Sequence, residues 1–399
     1  MSTFSCHLSP HSTHTYTQIS SAGPPRPSLP FSPPIINTGI RIRHQIYDTP
    51  ARGCTLIGSK DNILTRTDLG ICATDPTKHI DGTEIRAYWI YRKLKKAIYG
   101  GVYLAYELRI KTPTTQSNSS PGYELTGSYV AIKKIEWSKV RSLSGRLIED
   151  PLKEIACTQF LTEEGGGNVL RSIISLSDEK YLYSILEYCN GGELFDHVEA
   201  SGRFTEPRAR WWFRQILSGL KVLQDRGVCH RDMSLENMMV NNSSALIIDM
   251  GMCLRIPYQD SAGNTVSGVS GTATNRLLLR AGRGCGKPNY MSPEILAEQS
   301  FDGFSIDLWA CGVMLFIMVT GVPPFDRAQP QDPRFSMAAV NSQLRQMLVG
   351  WNMAASEECM DLMQRMLRAR PEERLTLAQV LQHNWMNGEV DQPEHGNVT

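Results

Sequence analysis

The chain has 399 residues, of which 41 are basic and 40 acidic, for a formal net charge of +1. It therefore projects no global field that would gather nucleic acid or an anionic membrane. The length suits two or three average domains, or one large two-lobed domain with extensions. Ten scattered cysteines form no C-x-x-C pair and no zinc-like spacing. That argues against a disulfide framework or a metal ribbon and fits a reducing, intracellular setting, taken as cytoplasmic with nucleus and organelles left open.

Residues 1–60 hold eight of the 22 prolines and a single acidic residue, Asp48, against Arg26, Arg41, Arg43, Arg52 and Lys60. Such a segment buries too little apolar surface to offset its ordering entropy, so residues 1–84 are expected to be a mostly disordered extension. A basic, Ser-rich start loosely fits a transit peptide, but no amphipathic Arg-bearing helix is visible near Met1. Pro24-Pro25-Arg26-Pro27 is a candidate ligand for a partner's aromatic groove.

From residue 85 the pattern turns to strands. Residues 97–106 read as a glycine-turned hairpin, and residues 111–127, rich in Thr, Ser, Asn and Pro, as a loop. The apolar run Tyr129-Val130-Ala131-Ile132 then leads into Lys133. Residues 151–161 have helical spacing with Pro151 at an acceptable first turn, and a strand over 181–188 ends at the turn Asn190-Gly191-Gly192. Beyond it helices dominate: 208–224 is amphipathic, while 356–367 and 376–383 close the chain. The apolar stretch 308–322 is shorter than the roughly 20 residues a membrane span needs and reads as a buried core helix. A small β-rich lobe thus precedes a larger helical one, an α+β architecture with its cleft at the junction.

The most informative run is Val228-Cys229-His230-Arg231-Asp232-Met233-Ser234-Leu235-Glu236-Asn237, with Asp249-Met250-Gly251 following twelve residues past the Asn. Phosphoryl transfer needs a carboxylate beside the attacking hydroxyl and oxygen ligands for the ion that carries the phosphates. Asp232, Asn237 and Asp249 supply them, the latter two as Mg2+ ligands. The pattern H-R-D-x-x-x-x-N followed by D-x-G resembles the signature of eukaryotic protein kinases of the Ser/Thr type, and more loosely the calcium/calmodulin-dependent group. The resemblance covers residues 85–386, with an N-lobe over 85–187, a C-lobe over 190–386 and a short tail over 387–399.

That resemblance implies ATP and Mg2+ as cofactors and protein Ser/Thr hydroxyls as acceptors; the balanced charge and the short apolar stretch lead to the expectation of no nucleic-acid partner and no membrane span. It assigns Lys133 to the nucleotide phosphates, Glu154 to holding Lys133, and Asp232 to the acceptor hydroxyl. Val102 and Ala131 above and Met239 below would sandwich adenine, the backbone of Glu187 to Cys189 would bond its edge, Leu186 would be the gatekeeper, and Glu193 would lie near the ribose. Glu193 and Glu236 hint at a basic residue upstream of the acceptor. Glu294, in Ser292-Pro293-Glu294, and Arg374 are expected to form a buried structural bridge. His230 reads as scaffold.

Four departures accompany these matches. The family's G-x-G-x-x-G loop aligns with Lys95-Lys96-Ala97-Ile98-Tyr99-Gly100, so only the third glycine remains. Either the nucleotide binds more weakly, or Lys95 and Lys96 supply charge where backbone amides would serve. Ser234 stands where a lysine contacting the transferring phosphoryl group is usual, and Lys287 is expected to replace that charge from the opposite side as a fourth catalytic residue. Residues 259–275 read as a flexible Gly/Ser/Thr insertion, and no Ser or Thr lies between Asn275 and Asn289, where an activating phosphate usually falls. Met250, a compliant apolar side chain, replaces a phenylalanine. The eroded loop and Ser234 leave open a non-catalytic pseudokinase that uses this fold as a scaffold.

Overall fold

A computed structural model describes residues 40–43, 63–66, 86–111, 122–162, 167–267, 273–280 and 284–392. Its first layer is a seven-stranded antiparallel sheet built from β1 (Ile40–Arg43), β2 (Ile63–Arg66), β3 (Arg86–Ala97), β4 (Gly100–Lys111), β5 (Gly122–Glu136), β6 (Ser172–Ser177) and β7 (Tyr181–Glu187). The spatial order is β1-β2-β3-β4-β5-β7-β6. Successive side chains of a strand face opposite ways, and β3 uses both faces. Ala87 and Trp89 pack with Ile63 and Leu108 on one, while Tyr88 and Ile90 pack with Ala105, Val130, Ile132 and Ile185 on the other.

Two expectations change here. Strands β1 and β2 lie inside the stretch expected to be disordered; Ile63 and Leu64 are buried and β2 pairs with Ala87 to Trp89, so apolar burial holds this segment on the sheet edge. The remainder of residues 1–85, including Pro24 to Pro27, is outside the described residues. The loop expected over 111–127 is partly strand, because the β4–β5 ladder resumes at Leu108 opposite Leu125 beyond a bulge. Residues 112–121 lie outside the description. The hairpin turn is Ile98–Tyr99, with Ala97 opposite Gly100.

Helix α1 (Trp137–Leu143) and helix α2 (Pro151–Thr162) pack on the sheet against Ile135 and Leu182. The second layer contains α3 (Leu194–Ser201), α4 (Glu206–Asp225), α5 (Pro293–Leu296) and α6 (Gly303–Thr320). Helix α6 is long and apolar enough to cross a membrane but is buried along its whole length, which makes it the core helix the sequence suggests. Asp302 caps its start by accepting from Phe304 N–H at 3.1 Å, and Gly321, at φ +82°, ends it. The bridge expected between Glu294 and Arg374 is present, with two contacts of 2.7 Å in the core.

The stretch between the lobes' chemistry is built from short ladders: β8 (Val228–Cys229) with β11 (Leu254–Arg255), β9 (Met238–Asn241) with β10 (Ser244–Ile247), and β15 (Leu279–Arg280) with β16 (Ser300–Phe301). The insertion expected to be flexible is ordered in large part. Strands β12 (Pro257–Asp260), β13 (Thr265–Ser267) and β14 (Ala273–Arg276) form a three-stranded sheet with β12 central. Asp260 nucleates its turn by accepting from the Ala262 and Asn264 N–H groups, while Gly263 takes a positive φ.

Candidate active site

The loop from His230 to Asn237 is fixed from behind by α6. Asp307 accepts the backbone N–H of His230 at 2.6 Å and of Arg231 at 2.8 Å, which holds Arg231 at φ +69°. Burial pushes the Asp307 carboxyl up to about 6, against the pull of His230 and those two N–H groups. The His230 ring is scaffold: its Nδ1 accepts from Asp232 N–H, so Nε2 carries the hydrogen and donates to the Ile248 carbonyl at 2.8 Å.

Asn237 then divides the Asp232 carboxylate into two unlike oxygens. Its Nδ2 donates to the Asp232 carbonyl at 2.7 Å and to Oδ2 at 2.9 Å, whereas Oδ1 is buried with no partner among the described residues. Asn237 has used its NH2 group and retains its carbonyl oxygen for a cation. Asp249, at φ +66°, is held by the Gly251 N–H at 3.3 Å, and buried Met250 anchors the turn in the core.

Lys133 points from β5 into α2, where its Nζ lies 2.7 and 2.6 Å from the two oxygens of Glu154. Helix α2 begins where it does because Asp150 caps it, accepting from the Leu152 and Lys153 N–H groups, and this puts Glu154 in the first turn. Burial works against the Lys133 charge, yet Glu154 and Asp249 outweigh it and hold the ammonium above its ordinary range.

Ala131 and Lys133 share the strand face that is only partly covered, between buried Val130, Ile132 and Ile135. Val102 lies opposite Lys133 on β4, Leu186 opposite Ala131 on β7, and Glu187 opposite Val130. Buried Cys189 follows, and Glu193 bridges to Met239 across the floor. Val102, Ala131, Lys133 and Leu186 thus stand on three neighbouring strands, and Leu186, Glu154 and Asp249 line one cavity. Gly100 serves packing: a Cβ there would sit 2.1 Å from the Lys134 carbonyl oxygen.

Three residues of the site had no assigned role in the sequence reading. Tyr99 turns inward from the hairpin tip, packs with Ile135, Ile155 and Leu182, and donates to the Glu149 carbonyl at 2.8 Å. Glu149 is a half-buried carboxylate near Lys133, Asp249 and Asp232; burial raises its pKa, the two aspartates add to this and Lys133 opposes it. Gly286, at φ +96°, brings the segment after β15 against the catalytic loop, where a Cβ would meet the Arg231 carbonyl at 2.9 Å and Asp232 Oδ1 at 3.1 Å. The only readable signal for it is a glycine beside a loop lysine. Lys287 itself donates to Ser234 Oγ at 2.8 Å and lies 3.9 Å from Asp232 Oδ2.

Both acids that hinted at substrate recognition are engaged within the chain. Lys95 reaches across the cleft mouth to Glu193 at 2.6 Å, and Tyr290 donates to Glu236 at 3.2 Å.

A protein kinase domain family matches residues 121–386. Among curated proteins the chain is similar to CBL-interacting protein kinase 9 of Oryza sativa subsp. japonica, 30% identical over 270 residues that cover 67% of this chain and 53% of that protein. It is similar to serine/threonine-protein kinase SRK2C of Arabidopsis thaliana, 32% identical over 219 residues that cover 55% and 59% of the two chains. Serine/threonine-protein kinase SAPK9 of Oryza sativa subsp. japonica is 30% identical over 264 residues, 65% of each. The chain spans between half and two thirds of the length of these relatives.

Proposed function

Because the chain belongs to the protein kinase family, we propose that it transfers the γ-phosphoryl group of ATP to serine or threonine hydroxyls of proteins. The observation that carries this is the Asp232 carboxylate, oriented by Asn237 through Oδ2 and left with acceptor capacity that no other described residue takes up. In the proposed step the acceptor hydroxyl gives its proton to the Asp232 carboxylate, its oxygen forms the new bond to phosphorus, and the bond to ADP breaks.

The donor set suits magnesium, a hard ion that takes oxygen ligands. Asn237 and Asp249 would hold it: the first has only its carbonyl oxygen left, and the second is set in a left-handed turn beside Lys133. The ion would supply neutralisation of phosphate charge. Lys133, aimed by Glu154, would orient the phosphates. The names of the relatives, all serine/threonine kinases or kinases without a stated acceptor, support the choice of acceptor.

The test is single-turnover transfer from MgATP to a mixed Ser, Thr and Tyr peptide library, beside an Asp249→Asn control. Label on Ser or Thr that vanishes in the control is the expected result. A folded, ATP-binding protein that labels nothing would overturn the reading.

A further inference from the structure

Resting on the kinase reading, we propose that Lys287 is a catalytic residue, a cation delivered by the segment after β15 that stabilises the charge developing on the transferring phosphoryl group. Among the described residues Lys287 is the one ion-pair partner of Asp232. Of the neighbouring cations, Lys133 is committed to Glu154, while Arg231 turns to the Met252 carbonyl with its guanidinium over the Phe301 ring and its Nε buried without a hydrogen-bond partner among the described residues.

The contact has the character of a built position. Lys287 keeps only 33% of its side chain exposed, and its Nζ rests on the hydroxyl of Ser234, a fully buried residue. Ser234 precedes the short helical turn Leu235–Asn237 without capping it through its side chain, so its oxygen is available to the lysine. An ammonium has three donors; one goes to Ser234 and the longer separation from Oδ2 leaves two others for oxygens of a phosphoryl group. Gly286 makes the approach possible, since any Cβ at that position would press on the Arg231 carbonyl and Asp232 Oδ1. A fixed charge aimed at the reacting centre acts most strongly where charge develops.

Lys287→Ala is expected to lower kcat roughly 100-fold with little change in KM for ATP or in thermal stability. Ser234→Lys combined with Lys287→Ala should restore turnover. Because Ser234 is buried and that double variant could misfold, alkylamines added to Lys287→Ala give an independent measure, and rate recovery with amine concentration is expected. If Lys287→Ala keeps full kcat while Asp249→Asn abolishes transfer, Lys287 is not catalytic and the kinase reading stands. Reduced kcat that neither the amine nor Ser234→Lys restores in folded protein would equally sink the assignment. Absence of transfer in the unaltered chain would remove the kinase reading itself.

Discussion

Lys133 and Glu154 are both enclosed, and their pairing sets a pH dependence whose sign can be derived. Burial is the largest influence on Glu154 and pushes its carboxyl up to about 7 from an ordinary 4.5, while Lys133 pulls it back and Asp249 and Glu149 add to the rise. Between those values the folded protein holds a proton that the unfolded chain has released, so this group makes the fold more stable as pH falls. The same proton removes the ion pair that aims Lys133. Stability and nucleotide affinity should therefore move in opposite directions on acidification. Affinity for MgATP is expected to be level above neutrality and to weaken as pH drops through about 7, measured with a fluorescent nucleotide; constant affinity a full unit lower would refute this. The residues of this chemistry were legible in the sequence because short spacings fix them, as with Asp232 and Asn237 in one turn. Glu149 and Tyr99 were not, since only the tertiary approach of the hairpin to the start of α2 gives them a role.

The segment from Asp249 to Glu294 illustrates the limit of composition as a guide to single elements. Its Gly, Ser and Thr content suggested flexibility, yet short strands that find partners do not need strong individual propensity. Arg276 at the end of β14 reaches Asp302 at 2.8 Å with its guanidinium over Phe304, and β15 pairs with β16. These contacts hold the segment through the protein's own groups, and Arg231 has an aromatic face and a carbonyl for its neighbours. Phosphatase treatment, verified by intact mass, is therefore expected to leave transfer unchanged; a loss of rate accompanying a loss of phosphate would contradict this. Arg276→Ala should cost about 1 to 2 kcal/mol, because Asp302 is buried while Arg276 is partly solvated. Faster limited proteolysis between residues 257 and 280 would report the loosening. Helices α4 and α6 were legible in outline, since amphipathic or wholly apolar patterns over many residues survive any change of neighbour.

At the scale of the whole molecule, the order of motifs foretold a sheet-rich lobe, a helical lobe and a cleft between them. It missed β1 and β2; Ile63 and Leu64 of β2 gain meaning only against Ala87, Tyr88 and Trp89 of β3. Glu294 and Arg374, eighty residues apart, tie the catalytic segment to the far end of the chain through a bridge with 4% and 1% of the side chains exposed. Removing either partner should destabilise by about 3 to 5 kcal/mol, since an uncompensated charge would remain in the core. Replacing both with apolar residues should cost less than either single change in a denaturant titration. The clasp between Lys95 and Glu193 behaves differently, because Lys95 keeps 71% of its side chain in solvent. Such an exposed pair is worth no more than about 1 kcal/mol, about a fivefold factor in an equilibrium. Dissolved ions weaken it further. The Lys95–Glu193 contact is thus the part of the site most sensitive to ionic strength, and added salt is expected to free both side chains even as it weakens long-range attraction for the phosphates.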